Sequence, residues 1–179
     1  MKNINRRHRR RLALAAALIG LAASAVHAGP QQDAEQAEQE FARGSLVPAM
    51  HLWRKAANEG YAPAQARLGD ILDKAEEDTE AVNWYRKAAG QGNAAGEFGL
   101  GQMYGKGEGV KRDDELARKY IILAAEKDYL PAVIVLVEMY KNGTLGATPD
   151  LALSAKWKAR ADALYAKEKA LAKTEQEAK

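Results

Sequence analysis

"WYRKAAGQGNAAGEFGLGQMYGKGEGV", residues 84–110, is the stretch on which the fold turns. Paired alanines and isolated glycines alternate there with bulky aromatics at an even spacing. Together with Ala81 just upstream, Trp84, Tyr85, Ala88 and Ala89 fall at i, i+3, i+4, i+7 and i+8, a single helical face. Leu100, Met103 and Tyr104 make a second such face. Gly92 and Gly107 stand where those helices should end, because glycine enters the left-handed region without steric cost. The spacing predicts two short helices joined by a tight turn, with small residues that let their backbones approach closely.

Outward from this stretch the same pattern recurs. "WRKAANEG" (53–60) matches "YRKAAGQG" (85–92) at an offset of 32, and "ILAAEKD" (122–128) follows at 36. "GLGQMYGKGEG" (99–109) aligns with "VLVEMYKNGTL" (135–145), again at 36, and the first copy reads "RLGDILDKAEED", about four residues shorter. The first helices of the other units place Ala49, Leu52, Trp53, Ala56 and Ala57, then Ala117, Tyr120, Ile121, Ala124 and Ala125, on one side. Their second helices contribute Ala64, Leu68 and Ile71, then Leu136, Met139 and Tyr140. Asp78, Asp113 or Asp114, and Asp150 are the expected N-caps, and Gly60 and Gly143 the further helix ends. One more step of 36 carries Ile121 to Trp157 and Ala125 to Ala161, so a partial fourth copy opens the C-terminal helix. A single unit of this kind cannot bury its own apolar face, but a stack can. The fold class is all-α: an α-solenoid of stacked helix-turn-helix repeats with capping helices at both ends.

The expected organisation is a cleavable signal peptide over 1–28, a polar capping helix within 29–45, and repeats over 46–150, divided at about 46–80, 81–115 and 116–150. A long helix over 151–172 and a charged tail over 173–179 follow. The leader reading rests on "MKNINRRHRRR", six positive charges with no acid, followed by "LALAAALIGLAASAV" and small residues at Val26 and Ala28. That pattern places cleavage between Ala28 and Gly29. As a helix the apolar run would span only about 22 Å, short of a hydrocarbon core near 30 Å.

Setting the leader aside reverses the charge. The full chain carries 27 Lys and Arg against 24 Asp and Glu, a net of +3. Without Lys2, Arg6, Arg7, Arg9, Arg10 and Arg11 it is 21 against 24, a net of −3. The isoelectric point of 9.0 therefore reflects the leader, and nucleic acid is not an expected partner. Cysteine is absent, which excludes a disulfide framework and a lipidated cysteine. The expected location is a bacterial periplasm or the extracellular space, with no stable membrane span after cleavage.

The chemical inventory is sparse. Beyond the leader one histidine, His51, and two serines, Ser45 and Ser154, remain. A histidine zinc site and a Cys–His pair lack their parts, and neither serine sits in a G-x-S-x-G elbow. "GKGEGV" (105–110) lacks phosphate-loop spacing, and "EEDTE" (76–80) reads as the acidic opening of a helix. No catalytic, cofactor or metal residue is expected. Two features suit binding. The polar sides of the first helices carry His51, Arg54 and Lys55, then Asn83, Arg86 and Lys87, then Lys119, Ile122 and Leu123, a partly basic row on an acidic chain. That row would attract an acidic segment. Val133, Val135 and Val137, with Ile122 and Leu123, form an apolar excess in the third unit. The C-terminal helix, with Leu153, Trp157, Leu164 and Tyr165, is expected to cover it.

The stretch at 84–110 closely resembles the Sel-one-like repeat, a relative of the tetratricopeptide repeat, whose pattern is "WYRKAA.QGN..A…LG.MY..G.GV". The resemblance covers roughly residues 46–161. The first copy lacks the glycine loop, and the third has "IL" in place of "RK". It implies an α-solenoid whose first helices line a concave surface and whose usual work is holding other proteins together. The expected function is an exported, non-catalytic adaptor or regulatory binding module in the bacterial envelope. The alternatives are an enzyme acting on cell-wall or β-lactam-like substrates, which the missing cysteines weaken, and a structural subunit of an envelope complex.

Overall fold

The computed structural model describes residues 29–177; the leader read over 1–28 lies outside them. Eight helices and no strand occur among the described residues: α1 Pro30–Ala42, α2 Leu46–Asn58, α3 Ala62–Lys74, α4 Asp78–Gly90, α5 Ala94–Lys106, α6 Asp114–Glu126, α7 Leu130–Asn142 and α8 Leu151–Glu177. Each helix packs on the next, and α3 also packs on α5. The units are therefore the hairpins α2/α3, α4/α5 and α6/α7. The expected divisions at 81 and 116 fall inside α4 and α6, which begin at Asp78 and Asp114.

Helix ends follow local chemistry. Asp113 caps α6, its Oδ1 accepting from the backbone N–H groups of Glu115 and Leu116 at 3.0 and 2.9 Å. Asp150 does the same for Leu153 at 2.9 Å. Asp78 does not cap: Glu77 occupies that place without a side-chain cap, and Asp78 lies one residue inside, where its charge still favours the helix dipole. Asn93, absent from the expected caps, accepts from the Gly96 N–H at 2.9 Å and starts α5. Gly60, Gly92, Gly107 and Gly143 all have positive φ. In the third unit Asp128 takes the place of Gly60 and Gly92 at φ 62°, a conformation aspartate tolerates better than most residues.

The seam between units is built from one position repeated. Trp53, Tyr85 and Ile121 are 1%, 2% and 2% exposed. The Tyr85 ring passes between Gly69 on α3 and Gly99 on α5. A Cβ at Gly69 would lie 2.7 Å from ring carbons, and one at Gly99 would collide with the same ring. A Cβ at Gly101, the repeat equivalent of Gly69, would come within 2.9 Å of Ile121 Cγ1. The equivalent of Gly99 varies with its partner. Beside Trp53 it is Arg67, whose guanidinium stacks 4.9 Å from the indole centroid. In the third unit, where the seam residue is the slimmer Ile121, it is Val135, packed on the same core. The Tyr85 hydroxyl donates to Asp70 Oδ1 at 2.8 Å. Burial raises the Asp70 carboxyl above its usual range, against the opposing effect of that bond. Burial first, and then Asp70, push the Tyr85 phenol far above its ordinary value, so it stays a neutral donor.

A polar rung crosses three successive seams. Asp33, Gln65 and Glu97 occupy the same register on α1, α3 and α5, and all are buried. Lys55 Nζ lies 2.7 Å from Asp33 Oδ2. Gln65 donates to the Ala57 carbonyl at 3.0 Å and accepts from Gln91 at 2.8 Å. Glu97 pairs with Lys127, which also donates to the Gly92 carbonyl at 2.9 Å. At the next seam the position is Val133, fully buried. Buried polar groups must find partners, and here each partner comes from a neighbouring first helix or the turn after it.

That register identifies α1 as a helix of the second type, with no first helix before it among the described residues. Like α3 and α7 it opens with proline in its first turn, which fixes φ and needs no N–H there. Ala37 is fully buried at the Gly69 position. The buried leucines Leu68, Leu100 and Leu136 have Gln36 as their equivalent, which is exposed. At the other end α8 covers α7: Trp157, Ala161 and Leu164 join the core of the third unit with Val133 and Val135. The Ser154 hydroxyl donates to the Val137 carbonyl at 2.9 Å. Tyr165, expected in this contact, is 51% exposed. The helix also continues past the expected end at 172 to Glu177. "ALAKTEQE" contains strong helix formers and no breaker, and Lys173 and Glu177 form an i,i+4 pair at 3.6 Å.

The seam makes a quantitative expectation. Gly99→Val should lower unfolding free energy by about 1–3 kcal/mol through overpacking against Tyr85. Adding Tyr85→Ile should recover part of that loss, with a coupling of at least about 1 kcal/mol in a double-mutant cycle by urea denaturation. Additive losses would show that the ring and the glycine do not share the seam.

Candidate protein-binding face

The expected binding residues lie on the outward rows of α2, α4 and α6, which run side by side through the stack. His51, Arg54, Asn83, Arg86, Lys87 and Lys119 are exposed; Lys55, Ile122 and Leu123 are half-buried. These residues thus share one outward row, but its charges differ in how they are already employed.

At α2 both cations are held internally. The Lys55 ammonium reaches the buried Asp33 carboxylate on α1, and that bond raises its pKa above the ordinary value. Arg54 Nη1 donates to Glu80 Oε1 across the α2/α4 junction at 3.2 Å. The same oxygen accepts from the Trp84 indole N–H at 3.1 Å. At α4 the situation changes. Arg86 Nη1 donates only to the neutral Asn83 Oδ1, at 3.2 Å. Lys87 Nζ sits 3.8 Å from the Trp84 ring centroid, a cation–π contact on a nearly buried indole. Asn83, Arg86 and Lys87 line one shallow surface depression. At α6 the Lys119 ammonium lies 5.9 Å from the Tyr120 ring, and Tyr120 stacks on Tyr104 with centroids 6.0 Å apart. Ile122 packs onto the core of the third unit. Among the described residues Arg86, Lys87 and Lys119 make no ion pair.

So the row is not one continuous basic stripe. Its first third is neutralised by Asp33 and Glu80, and its open charge is concentrated on α4 and the start of α6. Periodicity alone passed over both acids. Asp33 could have been found by extending the register of Gln65 and Glu97 one step upstream. Glu80 could have been found from its place in the first turn of α4.

Residues of other chemistry are scattered. His51 is exposed, and the Ser154 hydroxyl is committed to a backbone carbonyl. Among the described residues no group of three or more His, Cys, Asp or Glu side chains is placed to hold a metal. No helix among them is long and apolar enough to cross a membrane.

A solenoid of two-helix units with an open row of side chains on its first helices belongs to the class of helical-repeat binding proteins. Comparison with known families makes this specific. The Sel1 repeat family model matches residues 49–61, 62–93, 94–129 and 138–161, and the chain belongs to the Sel1 repeat family. Among solved structures it is similar to a Sel1 repeat protein from Oxalobacter formigenes, with 30% identity and a TM-score of 0.65, over 76% of this chain and 41% of that one. It is also similar to a protective antigen present in uropathogenic Escherichia coli strains and displaying an SLR fold. There the identity is 28% and the TM-score 0.67, over 89% of this chain and 33% of that one. The chain thus spans less than half the length of either protein. No curated protein matches it. Sel1 repeat proteins are in general protein-interaction modules.

The division of charge is testable by stability. Lys55→Glu should lower the thermal midpoint clearly, because it leaves the buried Asp33 carboxylate beside a like charge. Lys87→Glu, which breaks no ion pair and loses only its cation–π contact with Trp84, should shift the midpoint by no more than about 4 °C. Melting followed by circular dichroism distinguishes them, and equal effects would refute the division.

Proposed function

We propose that the chain is an exported, non-catalytic adaptor of the bacterial envelope that binds another protein through the first-helix face, with α4 and α6 at the centre of contact. Two features support this reading. The leader pattern over 1–28 supports export, with cleavage between Ala28 and Gly29. The carrying observation is the open basic group Arg86, Lys87 and Lys119 on a chain that is acidic once the leader is set aside, which favours an acidic segment of a partner.

The test is affinity capture from native envelope with the wild-type chain and with Arg86→Glu/Lys87→Glu. These two positions are chosen because neither makes an ion pair within the fold, unlike Arg54 and Lys55. The expected outcome is one or more captured proteins that are lost on reversal while the chain remains folded, with capture weakening as salt rises. Unchanged capture, or a turnover activity abolished by a single carboxylate substitution, would overturn the reading.

A further inference from the structure

The repeat supplies its own picture of a bound carboxylate. At the α2/α4 junction Glu80, third residue of α4, lies against Arg54 and Trp84, with Oε1 3.2 Å from Arg54 Nη1 and 3.1 Å from Trp84 Nε1. Stepping one unit along the chain turns each member into its equivalent. Arg54 becomes Arg86, Trp84 becomes Tyr120, and Glu80 becomes Leu116, third residue of α6. The α4/α6 junction therefore keeps the arginine and an aromatic side chain but lacks the acid. None of the acids that open α6 pairs with Arg86: Asp114 is bound by Arg112 at 2.8 and 3.2 Å, Asp113 caps α6, and the exposed Glu115 makes no ion pair with it. Arg86 is left with Asn83, a neutral acceptor; Lys87 is its chain neighbour and lines the same depression, and Lys119 precedes Tyr120 on α6.

We infer that the α4/α6 junction is a receptor site for a carboxylate side chain of a partner protein, held by Arg86 where Glu80 is held by Arg54 one unit earlier. The inference rests on the adaptor reading above and narrows it. The recognised element is an acidic residue, its principal contact is Arg86, and the α2 end of the row contributes nothing, because its own acids already fill it. A guanidinium suits a carboxylate through paired, directed N–H donors. Lys87 and Lys119 add longer-range attraction, and the half-buried Ile122 and Leu123 offer an apolar margin on one side of the site.

The equivalence supplies its own variants. Leu116→Glu places an internal acid where Glu80 stands in the preceding unit, and should quench the site. Glu80→Gln removes the internal acid from the first junction, and should open a second site at Arg54. The probe is a fluorescein-labelled hexaglutamate peptide added to the full chain at low salt. Anisotropy reads affinity, and arginine side-chain NMR shifts read location. Polyphosphate and hexaglutamine serve as comparison probes. The expected result is hexaglutamate binding with the largest shift at Arg86 and none at Arg54. It should weaken about tenfold in Arg86→Ala and in Leu116→Glu, the size expected for one hydrogen-bonded charge pair. Glu80→Gln should add a shift at Arg54.

Absence of hexaglutamate binding overturns the inference. So does a shift centred on Arg54 in the wild type, or unweakened binding by a folded Leu116→Glu variant. Polyphosphate binding at the same residues with equal strength would also overturn it, because the site would then select charge rather than carboxylate. If Leu116→Glu fails to fold, Glu80→Gln decides alone: no gain at Arg54 overturns the proposal. Failure of the broader reading looks different. Protein capture that depends on Arg86 and Lys87 without hexaglutamate binding sinks only the carboxylate site. Hexaglutamate binding with nothing captured from the envelope sinks only the adaptor.

Discussion

The closest approach of one helix to the next governs this molecule. A seam side chain on each first helix must fit between the second helix before it and the second helix that follows. Where the side chain is the broad ring of Tyr85, both neighbours are glycines, Gly69 and Gly99. Where it is Ile121, one neighbour is Gly101 and the other thickens to Val135. Where it is Trp53, the following position is Arg67, which lays its guanidinium on the indole instead of packing an aliphatic group. Glycine stands where the ring of Tyr85 approaches closely, and a larger residue stands where the seam leaves room, as close packing demands. This is why glycine, ordinarily unfavourable inside a helix, recurs in α3 and α5.

The same register explains how the stack begins and ends. Among the described residues the first helix, α1, is of the second type and the last, α8, of the first type, and each keeps one repeat-like face. On α1 the solvent face substitutes Gln36 for the leucine of the inner units. On α8 the position of the fully buried Ala56, Ala88 and Ala124 is Arg160. Its side chain folds over Trp157, 5.4 Å from the ring centroid, and pairs with Asp128 at 2.6 Å. A small residue there would admit another second helix; an arginine occupies that space. Terminal units of a solenoid need such polar faces to remain separate from one another.

Much of this was legible in the chain itself, because a repeat tests its own interpretation: Trp53, Tyr85 and Ile121 were aligned by sequence and occupy equivalent seams. The turn glycines were readable for the same reason, since positive φ leaves few alternatives. The parts that escaped are those in which periodicity is silent. Asp78 and Glu77 are adjacent acids, and which one caps α4 depends on backbone angles rather than composition. Tyr165 has the spacing of a buried residue but is exposed, whereas its neighbour Leu164 packs on the core of the third unit. The outward row of first-helix positions was legible, whereas its electrostatics were not. Asp33 and Glu80 come from other helices and cancel charges that, along α2, look free.

Internal cancellation also gives the face its direction. In a row of identical units an acidic partner would have several equivalent registers, and none would be favoured. Here the units have diverged: the α2 cations are filled from within, the α4 cations are open, and α6 replaces two of the three polar positions with Ile122 and Leu123. Charge at one end of the open region and apolar surface at the other define a polarity along the stack. A partner segment that pairs an acid with an apolar residue can satisfy both only in one orientation. Specificity of this kind comes as much from the registers that are blocked as from the contact that is made. On the proposed reading, a repeat protein assembled from near-copies would acquire a single binding register through substitutions at Glu80, Leu116 and the two residues that replaced Arg and Lys, without altering the seams that hold it together.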